Sequence, residues 1–126
     1  MRRIVNVDKQ EINQSFICGL GLTVTLFTYV VPSHEKLTVT HFGNYINLIN
    51  THWGQVTWSI RRNGIGVYPY ENVMDEIGQS FDPRPIKRLK FTGGDLLEVI
   101  AWDAGVVAQP PVLTVGMAIK FELEEG

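Results

Sequence analysis

The stretch Leu113-Thr114-Val115-Gly116-Met117-Ala118-Ile119-Lys120-Phe121-Glu122-Leu123 decides how the rest of the chain is read. Leu113, Val115, Met117, Ile119, Phe121 and Leu123 alternate with Thr114, Gly116, Ala118, Lys120 and Glu122. Side chains of an extended chain point to opposite faces with a period of two, so the pattern predicts a strand with one buried face. At about 3.4 Å per residue it spans roughly 37 Å, which is long for a strand. Burying its apolar side contributes on the order of 9–18 kcal/mol before the entropy of ordering, an upper bound because unfolded chains are already partly compact. So long and one-sided a strand requires a second layer to cover it.

Working backwards, Gln109-Pro110-Pro111 is a loop, and Leu96 to Trp102 is apolar on both sides apart from Glu98. That predicts a central strand buried on both faces, Trp102 included. Thr92-Gly93-Gly94-Asp95 is a turn, and Ile86 to Phe91 is a strand with Leu89 and Phe91 inward and Arg88 and Lys90 outward. Asp82-Pro83-Arg84-Pro85 is an extended connector, because each residue before a proline is pushed out of the helical region. Asn72 is placed to cap one helical turn through Val73–Ile77, stopped by Gly78. Val56, Trp58 and Ile60 share one face, with Trp58 in the core. Asn63-Gly64, tolerant of positive φ at both positions, predicts a hairpin pairing Val56–Ile60 with Ile65–Tyr68.

Residues 43–54 read as a long irregular loop with a buried apolar anchor, or a short helix. Lys36 to His41 is a strand, Pro32-Ser33-His34-Glu35 a turn, and Leu22 to Val31 a β-branched and aromatic strand. Residues 1–18 are aperiodic. They are either an edge strand folded back on its own domain or an arm that pairs with a neighbouring subunit, since a free strand edge is an open template for pairing. The domain division is thus an N-terminal arm, 1–18, and a single β-sandwich, 19–126. About eight strands without a long helix, with turn signals every 8–12 residues, predict an all-β antiparallel sandwich, and that strand number favours a jelly roll.

At 126 residues, 44% hydrophobic and 19% charged, the chain has the composition of one ordinary globular domain. A net charge of −2 gives no indication of nucleic-acid binding. The basic residues are nevertheless clustered: Arg61, Arg62, Arg84, Lys87, Arg88 and Lys90 make up most of the Lys+Arg total of 11. This is a solvated basic strand face or a docking patch for an acidic partner. Cys18 stands alone, which rules out an intramolecular disulfide and fits synthesis in a reducing compartment. The first residues meet charge too early for a secretory signal, and no apolar run reaches the ~20 residues of a membrane span.

Chemistry-bearing motifs are missing from the sequence. His34, His41 and His52 form no H-x-H or H-E-x-x-H, so the histidine pair of a cupin-type enzyme has no counterpart. No G-x-S-x-G surrounds any serine, and Gly19-Leu20-Gly21 and Gly64-Ile65-Gly66 are too short for a phosphate loop. Asp75-Glu76 suits a helix surface better than acid–base work across a cleft. The aromatics are the one ambiguous signal. With Trp58 and Trp102 assigned to the interior, Trp53, Tyr68 and Tyr70 remain as loop candidates for stacking a ligand, against core or interface packing.

The hairpin Val56–Gly64, the turn Thr92-Gly93-Gly94-Asp95-Leu96-Leu97-Glu98-Val99 and the closing Val115–Phe121 resemble small jelly-roll structural proteins of tailed-bacteriophage virions, which include head decoration (cement) proteins, head fibres and spike domains. The resemblance covers roughly residues 20–123 and is one of strand and turn pattern. It implies a non-enzymatic homotrimer, without cofactor or metal, made in the host cytoplasm and bound to the major capsid protein on the outer surface of the head. Nucleic acid and membrane are not among its partners. The residues expected to make capsid or subunit contacts are Arg2, Arg3, Ile4, Val5 and Val7 in the arm, followed by Arg84, Arg88 and Lys90. The alternative is a carbohydrate- or receptor-binding module of a fibre or spike, with Trp53, Tyr68 and Tyr70 as the stacking residues.

Overall fold

A computed structural model of the protein describes residues 7–19, 23–46, 56–74, 77, 83–103 and 112–125. Among these residues there is no helix. The strands are β1 (Val7–Gly19), β2 (Thr23–Val30), β3 (Glu35–Ile46), β4 (Val56–Arg62), β5 (Ile65–Gly66), β6 (Arg84–Thr92), β7 (Leu96–Asp103) and β8 (Val112–Glu125). They form two antiparallel sheets, one ordered β1-β8-β3-β6 and the other β2-β7-β4-β5. The chain is all-β and sandwich-like, with its core between the sheets.

The alternation in β8 has the consequence expected of it. Val115, Met117, Ile119, Phe121 and Leu123 are all buried against the second sheet. They meet Val56, Trp58 and Ile60 of β4, Leu97, Val99 and Ala101 of β7, and Leu26 of β2 in one continuous cluster. Phe121 stacks obliquely on Phe27 and Tyr29 of β2, with ring centroids 6.0 and 5.5 Å away. Trp58 is fully buried and donates its indole Nε1–H to the Gly116 carbonyl on β8, 3.1 Å away, which fastens one layer to the other.

β1 lies at the edge of the first sheet and pairs with β8 of its own chain without interruption from Val7 opposite Glu124 to Gly19 opposite Val112. For residues 7–19 this is the folded-back edge strand of the two arrangements open from the sequence. β3 also differs from the sequence reading, since it continues to Ile46 where an irregular loop was expected from residue 43. Phe42, Asn44 and Ile46 point inward opposite Ile119, Met117 and Val115. Asn44 is the polar member of that row. It is fully buried, and its side-chain oxygen accepts the Ile77 N–H at 2.9 Å, so part of the cost of burying the amide is met.

The hairpin at Asn63-Gly64 is present, with φ of 54° and 85° at the two turn residues. Its second strand is shorter than expected: β5 stops at Gly66, not Tyr68. Beyond it the chain keeps following the edge of β4. Val67 N–H donates to Ile60 O, Ile60 N–H to Tyr70 O, and Trp58 and Val73 exchange a pair of bonds at 2.8 Å each. Val73, where the helical turn after Asn72 is expected to begin, instead joins this bridge, because an open β4 edge offers it two backbone partners at once. β6 likewise begins at Arg84, inside the expected connector.

Candidate functional site

The space between the sheets is filled by large side chains, Trp58, Phe42 and Phe91 among them. Three candidate regions on the exterior can be assembled from the described residues.

The first is a polar clasp joining three turns at one end of the sandwich. The Asp95 carboxylate accepts the Thr92 N–H at 2.9 Å and the Asn63 amide at 3.1 Å, and Arg62 Nε lies 3.7 Å away. Asn63 in turn takes the Leu96 N–H on its side-chain oxygen at 2.8 Å, and its own N–H donates to the Leu96 carbonyl. Asp95 also reaches the third turn through its carbonyl, which accepts the Val31 N–H. The Thr92 backbone N–H, then the Asn63 amide, with a smaller contribution from Arg62, hold the Asp95 carboxyl below its ordinary pKa. A donor set this complete is a structural fastening for the turns.

The second region is the basic edge strand β6. Arg84, Lys87, Arg88 and Lys90 are all exposed there. Arg88 lies 3.8 Å from Glu122 on β8, Arg62 spans the Phe91 ring at 4.8 Å and donates to the Lys90 carbonyl, and Lys87 Nζ sits 5.7 Å from the centre of the Tyr68 ring. Of the residues expected to make capsid or subunit contacts, Arg84, Arg88 and Lys90 thus come together on one exposed edge. Val7 is on the other edge of the same sheet, paired with Glu124. Arg2, Arg3, Ile4 and Val5 lie outside the described residues, as do Trp53, His52 and the Asp75-Glu76 pair.

Tyr68 and Tyr70 differ in exposure. Tyr68 is exposed with Lys87 above its ring, whereas Tyr70 is half-buried against the core and its hydroxyl accepts the Lys87 N–H at 2.9 Å. His34 is exposed in its turn, and His41, half-buried, has its Nδ1 2.8 Å from the Thr40 hydroxyl. Among the described residues no group of three or more His, Cys, Asp and Glu side chains is placed to hold a metal ion, and no helix is long and apolar enough to cross a membrane.

The third region was not expected. Trp102 was assigned to the interior, yet it is 45% exposed on the outer face of the second sheet. Leu97, Val99 and Ala101 take the inner face of β7, so the register directs Trp102 outward. Thr23 of β2 and Thr57 of β4 flank it directly across the ladder. One row along, Ile100 faces Ser59, and together these residues line a shallow pocket of about 210 Å³ closed on one side by Asn72 and Arg61. Arg61 folds back along β4, with Nε 3.3 Å from the Ser59 hydroxyl. The signal available in the sequence was the alternation Thr57-Ser59-Arg61 on the outer side of β4. Its partner row on β7 was hidden because apolar residues occupy both faces there.

Compared with known proteins, the chain matches no family model, and no curated protein shows significant similarity to it.

Proposed function

We propose that the protein is a non-enzymatic structural component of a tailed-phage virion: a decoration (cement) protein with a jelly-roll fold, bound to the major capsid protein on the outer surface of the head. The observation that carries this reading is the nesting of the strand pairs, β1 with β8, β2 with β7, β3 with β6 and β4 with β5. Rolling up one long hairpin into two sheets produces such nesting, and double-sheet rolls of this kind recur in viral capsid and lectin domains. Fold alone does not give function. Further support comes from a core filled, among the described residues, by Trp58, Phe42, Phe91 and the β8 row.

In this reading the chain acts as a homotrimer at three-fold positions of the lattice. The exposed edge carrying Arg84, Arg88 and Lys90 is the face offered to acidic groups on the shell. Neither nucleic acid, membrane nor cofactor takes part. A modest affinity per copy is enough, because each trimer engages several capsomers at once and the second contact forms at high effective concentration.

The test is to titrate purified protein onto undecorated heads of the phage that encodes it and to image the product by electron microscopy. The expected result is saturable density at repeated lattice positions, reduced by the triple variant R84A/R88A/K90A. Heads that remain bare at saturating protein overturn the proposal.

A further inference from the structure

We propose that the pocket on the outer face of the second sheet binds a single anionic saccharide ring, stacked on Trp102 with its acidic substituent on Arg61. The proposal does not rest on the virion reading, since either can fail without the other.

The pocket joins two kinds of surface that a sugar needs together. A pyranose has a C–H face bearing slight positive charge, which is attracted to the negative face of an indole ring, and a rim of hydroxyls that require donors and acceptors. Trp102 supplies the first, with Ile100 extending the apolar floor. Thr23 and Thr57 flank Trp102 across the ladder, and Asn72 lines the same pocket. At about 210 Å³ the pocket is smaller than the roughly 300–1,000 Å³ clefts that enclose drug-sized ligands, which limits it to one ring.

The anionic substituent follows from Arg61. Its Nε donates to the Ser59 hydroxyl at 3.3 Å, which places the guanidinium beside the Ile100–Ser59 row, with its remaining N–H groups free of any described ion pair. Along the backbone that row lies about 6.7 Å from the row of Trp102, the two-residue repeat of a β ladder. A carboxylate on a ring stacked over Trp102 is thereby brought to a guanidinium suited to paired hydrogen bonds.

Other occupants fit less well. An extended peptide docks by adding a strand to a free edge, but the pocket lies over β7, whose backbone is paired on both sides by β2 and β4. A nucleic acid requires a run of cations along its phosphates, whereas Arg61 is the one cation lining the pocket; its cross-strand neighbour Glu98, which opposes any anion at Arg61, a carboxylate included, lies outside the lining.

The experiment titrates the full chain with methyl β-glucuronide, methyl β-glucoside and adenosine monophosphate, followed by the NMR resonances of the tryptophan indoles and backbone amides. The glucuronide is expected to shift the Trp102 indole saturably, and the glucoside to bind about tenfold more weakly for want of the charged contact. Trp102→Ala should weaken glucuronide binding about tenfold, while Trp102→Phe, which keeps a stacking face, retains most of it. Arg61→Ala should bring the glucuronide down to the level of the glucoside. Both positions face solvent, and unchanged amide spectra elsewhere will show that each variant folds. Absence of saturable shifts, equal binding of the two glycosides, indifference to Trp102→Ala, or preference for the nucleotide would each overturn the proposal.

Discussion

Replacing Trp58 by phenylalanine tests whether the sandwich is fastened across its layers as the structure indicates. The indole is fully buried and reaches from β4 to the Gly116 carbonyl on β8, in a part of β8 where Gly116 is itself buried between Ser15 of β1 and Tyr45 of β3. Phenylalanine retains most of the apolar contact but removes the donor and leaves a small void. A buried carbonyl that loses such a partner costs about 1–3 kcal/mol, and a cavity of a few heavy atoms adds about 1 kcal/mol. The expected loss for Trp58→Phe is therefore about 2–4 kcal/mol, against about 3–5 kcal/mol for Trp58→Ala. Urea unfolding followed by far-ultraviolet circular dichroism gives both values, with an unchanged slope confirming that stability and not compactness has moved. At roughly 4 °C per kcal/mol, Trp58→Phe should lower Tm by about 8–16 °C. A loss below about 0.5 kcal/mol for Trp58→Phe would show that the indole–Gly116 bond does not hold the layers together, and the packing described here would be wrong at its centre.

The remaining expectations concern turns, edges and pH. Because the folded-state pKa of Asp95 is depressed, its contribution is fully present above the unfolded value of about 3.9 and is lost as pH falls below that value through the folded one. Asp95→Ala should cost about 1–2 kcal/mol at neutral pH, and the gap between it and the parent should narrow in acid unfolding experiments as pH falls below the unfolded carboxyl value. Gly66→Ala places a Cβ 2.4 Å from the Glu71 Cβ, while Gly64→Ala meets no atom and is penalised only through its φ of 85°. Thermal melts should rank Gly66→Ala as the more damaging, at about 2–3 kcal/mol against about 1 kcal/mol. The exposed Arg88–Glu122 pair should be nearly silent, with Arg88→Ala changing stability by no more than about 0.5 kcal/mol.

Most of the strands were legible because their signal is local. The β8 alternation, the Asn63-Gly64 pair and the Thr92–Asp95 turn each state a conformation within a few residues, and the structure follows them. Where the reading went astray, the deciding partner lay far along the chain. β3 continues past Gly43 because Asn44, which breaks the apolar alternation, is met by the Ile77 N–H from 33 residues away. Val73 lies extended because β5 ends at Gly66 and leaves the edge of β4 open, so a sound local cap at Asn72 loses to two backbone hydrogen bonds on Trp58.

Trp102 shows the same limit at the candidate site. A strand with apolar residues on both faces reads as buried on both, and for Ile100, 9% exposed, that is correct even though it faces outward. Trp102 is one row further along the same outer face, and there the neighbouring strands present Thr23 and Thr57, side chains too short to cover an indole. Whether an outward apolar residue is covered depends on the size of its cross-strand neighbours, and those are known only when the register is known. A search for binding surfaces on sandwiches of this kind should therefore start from the register and ask, row by row, where a large aromatic stands between small hydroxyls. Here that question selects Trp102, and the same register brings the Arg61 guanidinium to the adjoining row through Ser59.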